Sequence, residues 1–223
     1  MSYFVTGTDT HVGKTLISCA LLQAFAAQGL RVVGMKPIAA GSDGNGQHED
    51  VKKLRAASNI LASLDQINPY IFSQPIAPHI AAHNSDVRVE IARILQHYRE
   101  LAAQADVVII EGVGGFCVPI NESETSADMT QHLALPIILV VGVRLGCLNH
   151  ALLTMSAIEA RGLKCAGWVA NVVDGNMLVS NENIKALQQR INAPLLGVVP
   201  WLPNQSPDAE WVAKRLNILL LNA

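Results

Sequence analysis

An apolar run, YFVT (Tyr3–Thr6), leads directly into GTDTHVGKT (Gly7–Thr15), and LISCALLQAFA continues from there with helical spacing. A strand, a glycine-bounded loop ending in Gly-Lys-Thr and then a helix is the context that a phosphate-binding loop requires. Gly13 lets the backbone pass close to an anion, and the free N–H groups of the first helical turn point towards it. At such a place Lys14 reaches β- and γ-phosphates, and the Thr15 hydroxyl is set to hold Mg²⁺. Five residues separate Gly7 from Gly13, where the common spacing has four. The loop is therefore a variant form.

The rest of the chain repeats the strand–helix alternation. Short Val- and Ile-rich runs at Tyr3–Gly7, Arg31–Lys36, Asp106–Gly112, Pro136–Gly142, Lys164–Asn171 and Pro194–Pro200 are predicted strands. Their nearly continuous apolar character suits a parallel sheet covered on both faces. Helical spacing is predicted over 13–28, 86–104, 147–161, 181–192 and 208–221. The expected architecture is α/β and P-loop NTPase-like: a mostly parallel sheet with helices on both faces, in a single domain spanning 1–223.

Composition excludes several classes. Sixteen basic against eighteen acidic residues leave a nearly neutral chain, which argues against nucleic-acid binding driven by bulk charge. Cys19, Cys117, Cys147 and Cys165 are far apart, with no Cys-x-x-Cys pair, as expected in a reducing compartment. The longest apolar run, Leu133–Val143, has only eleven residues and contains Pro136. That is too short for a membrane span, and the chain is expected to be soluble and cytoplasmic.

Two further positions converge on the loop. In DVVIIEG a strand ends at Glu111, and a carboxylate at the C-terminal end of a parallel strand faces the ligand crevice. Lys36 ends the second strand, with Pro37 behind it, and points the same way. Glu111 opposite Thr15 supplies the hard oxygen that Mg²⁺ prefers.

These stretches together resemble the dethiobiotin synthetase family. The likeness runs through GTDTHVGKT, Lys36–Pro37, Glu111–Gly115, LPIILVVGVRLGCLNHALLT (Leu135–Thr154), GWVAN (Gly167–Asn171) and PLLGVVPWL (Pro194–Leu202). It implies an ATP- and Mg²⁺-dependent ligase that adds CO₂, supplied as CO₂ or bicarbonate, to 7,8-diaminononanoate. An amine takes up CO₂ as a carbamate, ATP converts this to a carbamic–phosphoric anhydride, and the second amine closes the ureido ring. The products are dethiobiotin, ADP and phosphate, in biotin biosynthesis.

The resemblance also implies roles. Thr10, Lys14 and Lys36 form the catalytic set. His11, Val12, Gly13, Lys14, Thr15, Leu16, Asp50, Glu111, Gly112, Val113, Gly114, Asn171, Pro200, Trp201 and Leu202 bind the nucleotide, the last four around adenine. Thr15, Asp50 and Glu111 hold the metal. Lys36, Ala40, Leu145, Gly146, Cys147 and Asn149 bind the substrate, with the RLGCLNH segment (Arg144–His150) supplied by the partner of a homodimer. Relatives often carry an acid where this chain has His11, and a serine where it has Ala40. The competing expectation is a dimerising P-loop ATPase switch of the partitioning type. Such proteins place a lysine early in the loop, near the position of Asp9, and there is none here.

Overall fold

The computed structural model describes residues 1–203 and 207–222. In chain order the elements are β1 (Ser2–Gly7), α1 (Lys14–Ala26), β2 (Val32–Met35), β3 (Ile38–Ala40), α2 (Glu49–Ala57), α3 (Leu64–Ile67), β4 (Tyr70–Phe72), α4 (Pro78–Asn84), α5 (Ile91–Ala102), β5 (Val107–Glu111), α6 (Ser126–Leu133), β6 (Ile137–Val143), α7 (Cys147–Ala160), β7 (Cys165–Val172), α8 (Ser180–Gln188), β8 (Leu195–Val199) and α9 (Ala209–Ala213). A 3₁₀ segment, Ile218–Asn222, follows.

All six predicted strands form one parallel sheet in the order β2-β5-β1-β6-β7-β8. Strand β1 is central, pairing Val5 with Glu111 on one side and with Ile138 on the other. The chain first steps outward from β1 to β2, returns through β5, and then crosses to β6. That change of direction beside β1 opens a crevice at the carboxyl ends of the strands.

Side-chain alternation divides the core into two layers. Val5, Ile109, Ile138, Val140 and Val169 pack against α1, with Leu54 of α2 and Val212 of α9 in the same cluster. On the opposite face, Phe4, Val108 and Ile110 meet Ile94 and Leu101 of α5. Leu139, Val141 and Trp168 there meet Ala151, Met155 and Ile158 of α7 and Leu187 of α8. Helices therefore cover both faces, which is why these strands lack a polar face.

Several boundaries differ from the sequence reading. Helix formation over 86–104 begins only at Ile91: Asp86 adopts φ 52°, and the Glu90 N–H donates to the Tyr70 hydroxyl at 3.0 Å. The expected helix over 208–221 breaks after α9, because the Asn217 N–H donates to Leu196 O of edge strand β8 at 2.8 Å. Val212 and Leu216 still reach the core. Strands β3 and β4 form a small separate parallel sheet. With three residues each they give no readable alternation.

Candidate active site

The loop between β1 and α1 is locked from below by Val12. A Cβ on Gly7 would lie 2.6 Å from Val12 Cγ2, so only glycine lets the strand end approach this buried plug. Gly13 has φ +91°, and a Cβ there would come within 2.3 Å of Asn171 Nδ2. That amide donates to Val12 O at 2.8 Å, tying the end of β7 to the loop. No side chain caps α1 at Gly13. Its first-turn N–H groups therefore remain available to an anion.

Polar contacts fix the upper half of the loop. Asp9 accepts from Thr10 N at 2.7 Å through Oδ1 and from Arg144 Nη2 through Oδ2. Lys14 Nζ donates to Asp9 O at 2.8 Å. Asp9, near the position where a lysine is expected of a partitioning ATPase, is thus an acid paired with a cation from its own chain.

Lys36 Nζ lies 2.5 Å from Glu111 Oε1 and 2.9 Å from Asp50 Oδ2. Thr15 Oγ1 donates to the same Glu111 oxygen at 2.9 Å, while Glu111 Oε2 is buried without a hydrogen-bond partner among the described residues. Burial alone would lower the Lys36 pKa, but the charges of Glu111 and Asp50 and their hydrogen bonds outweigh it and raise the value. Asp50 shows the mirror image. Burial would raise it, yet Lys36 first, with lesser help from His48 and Thr15, holds it below the usual carboxylate range. Lys14 goes the other way, lowered to about 8 by burial and then by the neighbouring Lys36 charge.

Two adjoining cavities share His11, Thr15 and Lys53. One, of about 720 Å³, gathers Thr10, His11, Gly13, Lys14, Thr15, Lys36, Ala40, Asp50, Glu111, Val113 and Gly114. The other, of about 880 Å³, runs along α1 past Leu16 to Asn171, Pro200, Trp201 and Leu202. Val12 lies beneath the loop, and Gly112 packs its backbone against Phe4. Leu145, Gly146, Cys147 and Asn149 line neither cavity: Leu145 is 91% exposed, whereas Cys147, the first residue of α7, is buried in the core.

Polar or reactive lining residues that escaped the sequence reading include His48, Lys53, Cys19 and Gln23. His48 had a readable signal, since it precedes Glu49 and Asp50 at the start of a short amphipathic stretch, where a helix cap belongs. Cys19 and Gln23 lie in the second and third turns of α1 and look like ordinary helix positions.

A family model described as an AAA domain matches residues 1–209. The ATP-dependent dethiobiotin synthetase BioD of Nitrosospira multiformis is 53% identical over 216 residues, covering 97% of this chain and 94% of that protein. The enzyme of the same name from Aromatoleum aromaticum is 52% identical over 218 residues, covering 96% of this chain and 97% of that one. Among solved structures, the MinC:MinD cell division complex of Aquifex aeolicus superposes with a TM-score of 0.55 at 15% identity, over 98% of this chain and 87% of that one. A ParA family ATPase from Chlorobium tepidum gives 0.54 at 14% identity, over 91% and 85%. Those two likenesses establish the P-loop NTPase-like fold, and the sequence relatives establish more: the chain belongs to the ATP-dependent dethiobiotin synthetase family.

Proposed function

We propose that this chain, acting as one P-loop domain of a cytoplasmic homodimer, carboxylates 7,8-diaminononanoate with CO₂ at the expense of ATP and closes the ureido ring of dethiobiotin. The observation that carries the reading is Lys36, held between Glu111 and Asp50 on the wall facing the phosphate loop. Each step of the reaction builds or moves negative charge on oxygen, so the chemistry calls for fixed cations and aimed N–H groups.

Lys36 meets that demand. Its carboxylate partners keep it cationic and hold its ammonium at a set point, where it can grip carbamate and phosphoryl oxygens. Lys14, held by a loop carbonyl, can exchange that contact for a phosphate oxygen, and the anion would reverse the lowering of its pKa. The apolar-walled cavity at Asn171 and Trp201 receives adenine. With its Nδ2 engaged by Val12, Asn171 offers the base its Oδ1 as an acceptor.

Mg²⁺ suits the donors present. Glu111, Asp50 and Thr15 offer only hard oxygens, and the unpartnered, buried Glu111 Oε2 is an oxygen that a cation would satisfy. A bound Mg²⁺ would neutralise charge on the β- and γ-phosphates. The substrate carboxylate is assigned to the start of α7 in the partner subunit. Support comes from the exposure of Leu145, Asn149 and Leu153 and from their absence from the cavities of their own chain.

The test is phosphate release from ATP by the purified protein. Turnover is expected only with the diamine and bicarbonate together, with dethiobiotin as product. Equal turnover without the diamine would favour a nucleotide switch.

A further inference from the structure

We infer that His48 is a positioning residue for the reaction centre, bridging the wall at Ala40 to the first turn of α2 and thereby setting Asp50 against Lys36. This inference rests on the carboxylation reading above. His48 is the N-cap of α2: its Nδ1 accepts from the Asp50 N–H at 3.2 Å. Its other nitrogen, Nε2, lies 3.2 Å from Ala40 O. With Nδ1 accepting, the neutral ring carries its proton on Nε2, and that N–H donates to the carbonyl. Both ring nitrogens are then used, one on Ala40 and one on α2, and Ala40, His48 and Asp50 all line the same cavity.

The need for such a bridge follows from the local sequence. Strand β3 ends at Ala40, and the connection to α2 is the polar stretch GSDGNGQ (Gly41–Gln47), which contributes no residue to the buried core. Glu111 is fixed by its strand, by Thr15 and by Lys36. Asp50 is half-buried and sits in the opening turn of a nine-residue helix, whose N-terminal end would fray without its cap. A shift there moves the Asp50 carboxylate away from Lys36 and from Thr15.

The full-length variants His48→Ala, His48→Asn, Asp50→Asn and His48→Ala/Asp50→Asn test this. Calorimetric titration with ADP, with and without Mg²⁺, reads the site without the diamine, and dethiobiotin formation reads turnover. His48→Ala should lower kcat about tenfold, the scale set by one lost cap, and should weaken the Mg²⁺ enhancement of ADP binding to a similar degree. His48→Asn keeps a capping oxygen and should recover to within about threefold of the parent, cap for cap. In the Asp50→Asn background, His48→Ala should have no further effect on kcat.

An equal loss in both backgrounds, an unaltered Mg²⁺ enhancement in His48→Ala, or a folded His48→Asn as slow as Asp50→Asn would each overturn the assignment. The asparagine variant decides the matter even where the alanine variant does not fold. A parent protein that binds ADP with Mg²⁺ but makes no dethiobiotin would instead count against the carboxylation reading.

Discussion

Exchanging Lys36 for methionine keeps most of the side-chain volume and removes one charge that two carboxylates share. The residue is 4% exposed, with Glu111 Oε1 at 2.5 Å and Asp50 Oδ2 at 2.9 Å. Removing one partner of a buried ion pair costs about 3–5 kcal/mol, because the remaining charge stays desolvated. Asp50 is partly open to water and Thr15 still donates to Glu111, which places this site near the lower end, at about 3 kcal/mol. For a chain of this size each kcal/mol shifts the melting temperature by about 2–4 °C, so a fall of about 6–12 °C is expected.

Mg²⁺ should restore part of that loss, since the uncompensated carboxylates then attract the ion more strongly than in the parent. Turnover should drop by about 100- to 1000-fold, the scale of one lost oxyanion donor. ADP affinity should change little, because Lys36 does not line the cavity at Asn171 and Trp201. Thermal melting with and without Mg²⁺, ADP calorimetry and phosphate release below both melting points separate these effects. An unchanged melting temperature would refute the electrostatic reasoning. Lost ADP binding with unaltered kcat at saturation would reverse the role given to Lys36.

Gly13→Ala sets a Cβ 2.3 Å from Asn171 Nδ2 at φ +91°, and should weaken ADP binding by about tenfold or more in calorimetry. Unchanged affinity would mean that the loop geometry is wrong. Asp128 is held down to about 2 by hydrogen bonds from Thr125 and Arg161. Its folded pKa lies below the unfolded value of about 3.9, so its contribution is complete above pH ~4 and disappears as pH falls towards ~2. Discounted for partial exposure, Asp128→Asn should lose about 1–2 kcal/mol in denaturant melts at neutral pH and flatten the dependence over that window. Mixing a Lys14→Ala chain with a Leu145→Asp/Asn149→Ala chain should restore activity through one intact composite site. Heterodimers with no recovered activity would place the substrate seat within a single chain.

The inner strands of the main sheet were legible because burial on both faces forces nearly continuous apolar runs, such as VVIIE in β5 and IILVVGV in β6. Lys14, Thr15 and Glu111 were legible for a related reason. Loop spacing and strand ends determine where those side chains point, whatever else the chain does. Asp50 lacked such a local signal: only Val51 and Leu54 of α2 reach the core, so the helix reads as a polar stretch, and the aspartate came from the family likeness alone. Helix α6 carried a signal in its own residues, the reciprocal Thr125–Asp128 capping box. Its apolar face was too short to stand out by periodicity. The capping position of His48 was readable from Glu49 and Asp50 after it, but its bond to Ala40 O was not, because that contact spans a loop and no spacing rule reports it.

The opposite shifts of the two lysines give the site its division of labour. Lys14 and Lys36 balance Glu111 and Asp50 in formal charge, so the cluster sits in a folded crevice without a large field of one sign. Within that balance both carboxylates lie against Lys36, and Lys14 is left with a peptide oxygen. A group held by two carboxylates is locked in place. One held by a neutral carbonyl, with its pKa lowered to about 8, gains most when an anion arrives. The carbonyl that holds Lys14 belongs to Asp9, whose carboxylate is paired with Arg144 just ahead of α7. The loop cation that would meet the phosphates and the segment assigned to the substrate carboxylate therefore share one residue. The Asp9–Arg144 pair thus ties the phosphate loop to the residues just ahead of α7, beside the Gly142 N–H that donates to Thr8 Oγ1 at 3.2 Å.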